Sequence, residues 1–251
     1  MIKKIFKRLI QTKPLFFIAD YLNNKKLQRY EKKLKNNDTA KSTFETVYKK
    51  NIWGKDKLGN PSSGGGSHDL YVITPYIKII KETIEKLNCK IIIDLGCGDF
   101  NIGKNFYDAC DHYIACDISK HIININRKKF IKQNLEFREL NITEDNLPKG
   151  DLAFIRQVLQ HLPNSDIQKL VNYLNVYKPY KYLIVTESIH TIEDTSINRN
   201  LDSNIYYAFK GVGVEIHKKP FDLKFSSMEK LLEVKLNDKT KTIIQTILYK
   251  F

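Results

Sequence analysis

The sequence predicts an α/β fold, in which a parallel sheet is covered by helices on both faces and closed at one edge by an antiparallel hairpin. Three observations carry this reading. From Tyr76 onward, short apolar or β-branched runs alternate with stretches of helical period. Two of those runs end on carboxylates, in Asp94-Leu95-Gly96 and in Cys116-Asp117. The last two runs flank Asn237-Asp238-Lys239, a turn-forming tripeptide. The chain has 251 residues, 42% of them hydrophobic, enough for one large domain or two small ones with a sizeable core. Fourteen Tyr and thirteen Phe exclude a disordered chain.

Taken in order, Ile2, Ile5, Phe6, Leu9 and Ile10 fall at i, i+3, i+4, i+7 and i+8 with basic residues between them, an amphipathic helix that ends before Pro14. A second helical stretch covers 14–35 and dissolves into the polar run 35–42. Residues 55–68 are a loop, because Gly59-Asn60-Pro61-Ser62-Ser63-Gly64-Gly65-Gly66-Ser67 sustains neither helix nor strand. A helix over 76–87 precedes the β-branched strand 91–93. The strand 113–116 leads into a helix over 119–133. Strands follow at 135–140 and 152–155. Ser165-Asp166-Ile167-Gln168 reads as a capping box opening a helix to Tyr177. After a strand at 182–186, residues 189–223 form a long irregular insertion, a length often tied to function. Ser226-Ser227-Met228-Glu229 reads as the start of a short helix, and the hairpin strands are 232–236 and 243–249.

Composition narrows the function classes. The net charge is +14, but residues 1–41 alone hold twelve Lys and Arg against Asp20, Glu31 and Asp38. The chain is thus a basic arm on a nearly balanced globule, and the globule is no polyanion-binding surface. No apolar run reaches a membrane span, and no small-residue cleavage site follows the basic start. Cys89, Cys97, Cys110 and Cys116 are spaced by 8, 13 and 6 residues, which fits neither a zinc knuckle nor a disulfide scaffold. Reduced thiols, no bound metal and a cytoplasmic location are expected. The stripe on residues 2–10 would pack on the domain or on another subunit, with peripheral contact to anionic lipid as the alternative.

Asp94-Leu95-Gly96-Cys97-Gly98-Asp99 follows a strand and precedes a predicted helix. Such a turn lets backbone approach a ligand at the two glycines and offers unpaired N–H groups at a helix start. Twenty-three residues after Asp94, Asp117 closes the next strand, where a carboxylate can accept both hydroxyls of a ribose. A dinucleotide fingerprint would need a third glycine at position 101, which is Asn101.

This pattern resembles motifs I and II of the class I S-adenosylmethionine-dependent methyltransferases, most specifically over 91–162. Asp151-Leu152-Ala153-Phe154-Ile155-Arg156-Gln157-Val158-Leu159-Gln160-His161-Leu162 is similar to the family's fourth-strand motif. The resemblance implies a Rossmann-like seven-stranded sheet with its last strand antiparallel, carrying an N-terminal helical extension. It implies a cofactor site of Asp94, Gly96, Cys97, Gly98, Asp117, Ile118, Asn141, Ile142 and Gln157. Asp94 and the glycines would line the methionine end, Asp117 would take the ribose hydroxyls, and Asn141 would face the adenine amine. Phe100 stands where the family has a third glycine. Val47–Gly54 and the following 63–67 resemble a pre-domain segment that closes over cofactor and substrate, so Trp53, Gly54, Ser63 and Ser67 are lid candidates. The divisions implied are a basic extension 1–42, a covering segment 43–75 and a methyltransferase domain 76–251.

The expected reaction is methyl transfer from S-adenosylmethionine to a small anionic sugar or phosphate compound, at oxygen, as in bacterial polysaccharide and glycoconjugate modification. His190 and His161 are the candidate bases, and Arg156 the candidate anion contact. Three of the candidates have a plain structural alternative: a half-buried His161, an ion-paired Arg156, a core Trp53. The rival functions are a nucleic-acid methyltransferase using the basic arm, and a cofactor-binding partner subunit without activity. Ile155-Arg156-Gln157-Val158 departs from the Asn/Asp-Pro-Pro-aromatic motif of base-amine methylation.

Overall fold

The computed structural model describes residues 39–190, 206, 213–237 and 242–251. The two helical stretches expected within 1–35 and most of the insertion lie outside the described residues. Seven strands form one sheet in the order β3-β2-β1-β4-β5-β7-β6. These are β1 (Ile91–Leu95), β2 (His112–Asp117), β3 (Leu135–Glu139), β4 (Leu152–Arg156), β5 (Tyr182–His190), β6 (Ser227–Asn237) and β7 (Thr242–Lys250). β1 to β5 run parallel, and β7 runs antiparallel between β5 and β6. The helices are α1 (Ala40–Lys49), α2 (Leu70–Leu87), α3 (Lys120–Lys129) and α4 (Asn164–Tyr177). No helix among the described residues is long and apolar enough to cross a membrane.

The chain steps outward from β1 to β2 and β3, then returns to the other side of β1 for β4 and β5. Right-handed crossovers place the helix between β2 and β3 and the helix between β4 and β5 on opposite faces. The reversal between β1 and β4 opens a crevice at the C-terminal strand ends. On one face, Tyr76, Ile80 and Ile84 of α2 and Ile123 of α3 pack with Ile92, Tyr113, Phe154 and Ile184.

Four local expectations are corrected. α2 starts at Leu70, not Tyr76, because the Asp69 side chain accepts from the Tyr71 N–H at 3.0 Å. Pro75 sits inside it. Its missing N–H strands only the Tyr71 carbonyl, on a turn where Leu70 and Tyr71 are exposed. The predicted capping box at 165–168 does not form: Pro163 is the N-cap of α4, and the Gln168 amide donates to Asn172 and to the Phe221 carbonyl. The helix expected from Ser226 is the first half of β6. The Ser226 N–H and hydroxyl both donate to the Lys250 carbonyl, which docks this stretch on the end of β7. Finally, α1 runs through the expected boundary at residue 42, with Thr39 and Ser42 forming a reciprocal capping box.

Candidate active site

A cavity of about 290 Å³ lies over the C-terminal ends of β1, β2 and β4, at the lower end of the roughly 300–1,000 Å³ of small-molecule sites. Its floor is the loop after β1. Gly96 and Gly98 adopt positive φ (+90° and +55°), and the Gly96 and Cys97 N–H groups both donate to the Cys116 carbonyl at 2.8 Å. The space a side chain would need at these glycines is filled by protein. A Cβ on Gly96 would stand 2.4 Å from Val158 Cγ2, and one on Gly98 2.2 Å from Ser63 Oγ. The glycines therefore admit neighbouring side chains, and both line the cavity.

No α-helix follows this loop, contrary to the sequence expectation; two short 3-10 turns do, at Gly103–Asn105 and Tyr107–Ala109. The Asn105 side chain donates to the Asn101 and Ile102 carbonyls, which a helix would have used itself. Phe100, in place of the family's third glycine, is held at φ +60° by edge contacts to the rings of Tyr113, Phe130 and Phe137.

Asp117 ends β2, is 6% exposed and lines the cavity. Its Oδ2 accepts from the Gly98 N–H at 3.0 Å and its Oδ1 from the Ser119 N–H at 2.9 Å. Burial raises its pKa to about 6 against the pull of these two donors. Each carboxylate oxygen keeps a further acceptor site, which suits paired ribose hydroxyls. Ile118, Ile142 and Cys97 line the same space.

Two expected cofactor residues sit differently. Asp94 lies outside the cavity lining; its Oδ2 accepts from the buried Tyr113 hydroxyl at 3.0 Å, and burial pushes its pKa up to about 7. It faces the α2 side of the sheet, where Ile92 also points. Asn141 lines the cavity, but its Oδ1 already accepts from the Thr143 N–H and hydroxyl and its Nδ2 donates to Glu144. Its side chain is engaged in the 141–145 turn.

The roof is residues 63–68. The Asp99 N–H donates to Ser63 Oγ at 2.8 Å, the Ser63 N–H to Asp99 Oδ2 at 3.1 Å, and His68 Nε2 pairs with Asp99 Oδ2 at 2.6 Å. Asn101 Nδ2 donates to the Ser67 carbonyl at 2.6 Å. Arg156 at the end of β4 donates from Nη2 to the Gly66 carbonyl at 2.7 Å and stacks on the Tyr76 ring. Among the described residues Arg156 forms no ion pair, and its buried Nε has no hydrogen-bond partner. Gln157 donates to Ser188 Oγ and lines the cavity. Gly54 does not line it; its carbonyl accepts from the Ser62 N–H, turning the chain into the roof.

One wall is aromatic. The Trp53 and His161 rings are 5.1 Å apart, with Phe44 about 6 Å from each and Tyr48 edge-on to Trp53. His190 closes β5 opposite Thr242, with its side chain outside the described atoms. Sequence reasoning missed Phe44 and Tyr48 of α1, the Asp99–His68 pair, and Glu45. The last accepts from the Ser119 hydroxyl and the His121 N–H, tying α1 to the start of α3. A capped amphipathic helix from Thr39 was the available signal.

Residues 93–178 match a family model described as a methyltransferase domain. No curated protein sequence matches the chain. Among solved structures, human N-acetylserotonin methyltransferase in complex with its cofactor is 17% identical, with a TM-score of 0.56 over 88% of this chain and 61% of that one. The N-methyltransferase NodS from Bradyrhizobium japonicum, in complex with S-adenosylhomocysteine, is 10% identical with a TM-score of 0.55, over 90% and 98%. The N-terminal domain of EvdMO1, in the presence of S-adenosylhomocysteine and D-fucose, is 10% identical with a TM-score of 0.53, over 84% and 97%. These structures share the fold. The matched methyltransferase domain lies on this fold, which the chain shares with structures crystallised with S-adenosylmethionine or S-adenosylhomocysteine.

Proposed function

We propose that the enzyme methylates a small anionic acceptor, a sugar or phosphate compound, at oxygen, in the modification of capsule or another surface glycan. The observation that carries this reading is the size and lining of the cavity: the roof at 63–68 and the Trp53–His161 wall leave room beside Asp117 for a small molecule. Arg156, without an ion pair among the described residues, is the cation that an acceptor phosphate or carboxylate would meet. The structural neighbour studied with D-fucose is consistent with a sugar acceptor.

The cofactor supplies a methyl group already activated by its positive sulfur. The protein's share is then alignment, exclusion of water and removal of the acceptor's proton. Asp117 would fix the ribose, and Cys97 and the glycine loop would border the methionine end. Trp53 and Phe44 would exclude water, while His161 would take the hydroxyl proton.

Incubating the protein with methyl-labelled cofactor and a small-molecule extract tests this. Label should enter an anionic low-mass product, and His161→Gln or Arg156→Gln should suppress it. Label found only in nucleic acid or protein would overturn the proposal.

A further inference from the structure

Glu187 belongs to β5, opposite Gln245 of β7, and only 2% of it is exposed. Nothing in its sequence neighbourhood, Val185-Thr186-Glu187-Ser188, marks it as more than a strand residue. In three dimensions its carboxylate reaches across to the segment that leaves β4. Oε1 accepts from the Val158 N–H at 3.1 Å and the Leu159 N–H at 3.0 Å, and Oε2 from the Gln160 N–H at 3.1 Å. Three consecutive N–H groups at the start of a helical turn have no acceptor within the turn, and here the two oxygens of one side chain serve all three.

That turn builds much of the cavity. Gln157 enters it at φ +53°, its own N–H donating to the Thr186 carbonyl at 2.7 Å, so the chain breaks from the strand abruptly. Val158 fills the space above Gly96. The 3-10 turn Leu159–His161 then sets the imidazole against Trp53 and Phe44. The backbone inside this turn is short, so the carboxylate below it governs where its side chains stand.

We propose that Glu187 is a positioning residue for methyl transfer: by gathering the N–H groups of 158–160 it places His161 against Trp53 and fixes the wall on which the acceptor sits. The inference rests on reading that wall as the acceptor side. Glu187 touches no reacting atom; it acts through the turn.

Trp53 is the sole tryptophan of the chain, so its emission reports the wall without any acceptor. Glu187→Gln turns an amide NH₂ toward the N–H donors, which the carboxylate never does. It should shift the Trp53 emission in the direction of His161→Gln and by more than half as much. Glu187→Asp, which keeps the charge on a shorter arm, should restore part of the wild-type spectrum. With the labelled-cofactor assay, the Gln variant should lose tenfold to about a hundredfold in transfer rate, as small misplacements of a reacting partner do. Leu174→Ala, which opens a cavity in the buried face of α4, is the control for instability: it should melt earlier with Trp53 emission unchanged. If Glu187→Gln also melts earlier with unchanged emission, Glu187 is only structural and the proposal falls. If Glu187→Gln does not fold, Glu187→Asp is read by the same criterion. Wild-type protein that transfers no label would overturn the acceptor reading instead, whatever the Trp53 spectra show.

Discussion

The floor and the roof of the cavity are built on different physical plans. The floor joins strand ends that the sheet register already aligns: Leu95 beside Cys116, Asp94 beside Phe154. Its polar groups are anchored by backbone, as with Asp117 between the Gly98 and Ser119 N–H groups. The roof is a Gly- and Ser-rich segment with little core of its own. It is held by side chains of Asp99, Asn101 and Arg156, which lie more than thirty residues further on. A floor of that kind is rigid before any ligand binds, whereas a roof held by a few polar contacts opens at low cost. The difference assigns binding energy to the floor and access to the roof.

The sharpest way to break this division is Asp117→Ala. Losing a charged, bidentate contact should weaken S-adenosylhomocysteine binding by about 1.5–3 kcal/mol, read by titration calorimetry. Acidification should act in the same direction, with affinity falling as the pH drops through about 6, where the buried carboxyl gains its proton. Unchanged affinity in folded Asp117→Ala would remove the floor's role.

Gly98→Ala tests the seam between the two regions. The left-handed backbone alone costs an alanine about 1–2 kcal/mol, and its methyl would displace the Ser63 hydroxyl. Urea unfolding should show the loss. Ser63→Gly in the same chain should recover the steric part and leave the backbone part. Full recovery would mean that the positive φ matters less than the contact.

The smallest effect concerns the roof alone. The hydrogen bond to Asp99 raises the pKa of His68 against the opposing effect of burial. A raised histidine pKa means that the folded, latched form binds the proton more tightly, so its contribution is full below about 6.5. It is lost as the pH climbs through the raised value. Lys104 and Asp56 also act on His68, with opposite signs. His68 is 37% exposed, so solvent screens the pair and the effect is modest. Stopped-flow dissociation of S-adenosylhomocysteine should therefore quicken with rising pH in the wild type and stay flat in His68→Gln. Equal slopes would dismiss the latch.

Much of the floor was legible in the sequence. A β-branched run ending in Asp-x-Gly-x-Gly, and an acid closing the next strand, carry their geometry with them. Strand direction and the φ demanded of a glycine are local properties. What was illegible depended on which groups compete for the same partner. Asn141 has the chemistry to meet an adenine, but Thr143 is two residues away and claims its oxygen first. Ser165 and Gln168 spell a capping box, but Phe221, far along the chain, offers Gln168 another acceptor.

By itself, then, the sequence determined the alternating α/β order, the turn after β1 and the carboxylate at the end of β2, because periodicity and short-range sterics act within a few residues. Only the tertiary structure decided that Glu187 holds the β4 turn, that Asp99 fastens residues 63–68, and that Trp53 faces His161. Each of those contacts joins groups on separate elements. Its formation depends on where the packed sheet and helices bring the chain, and no local preference encodes that.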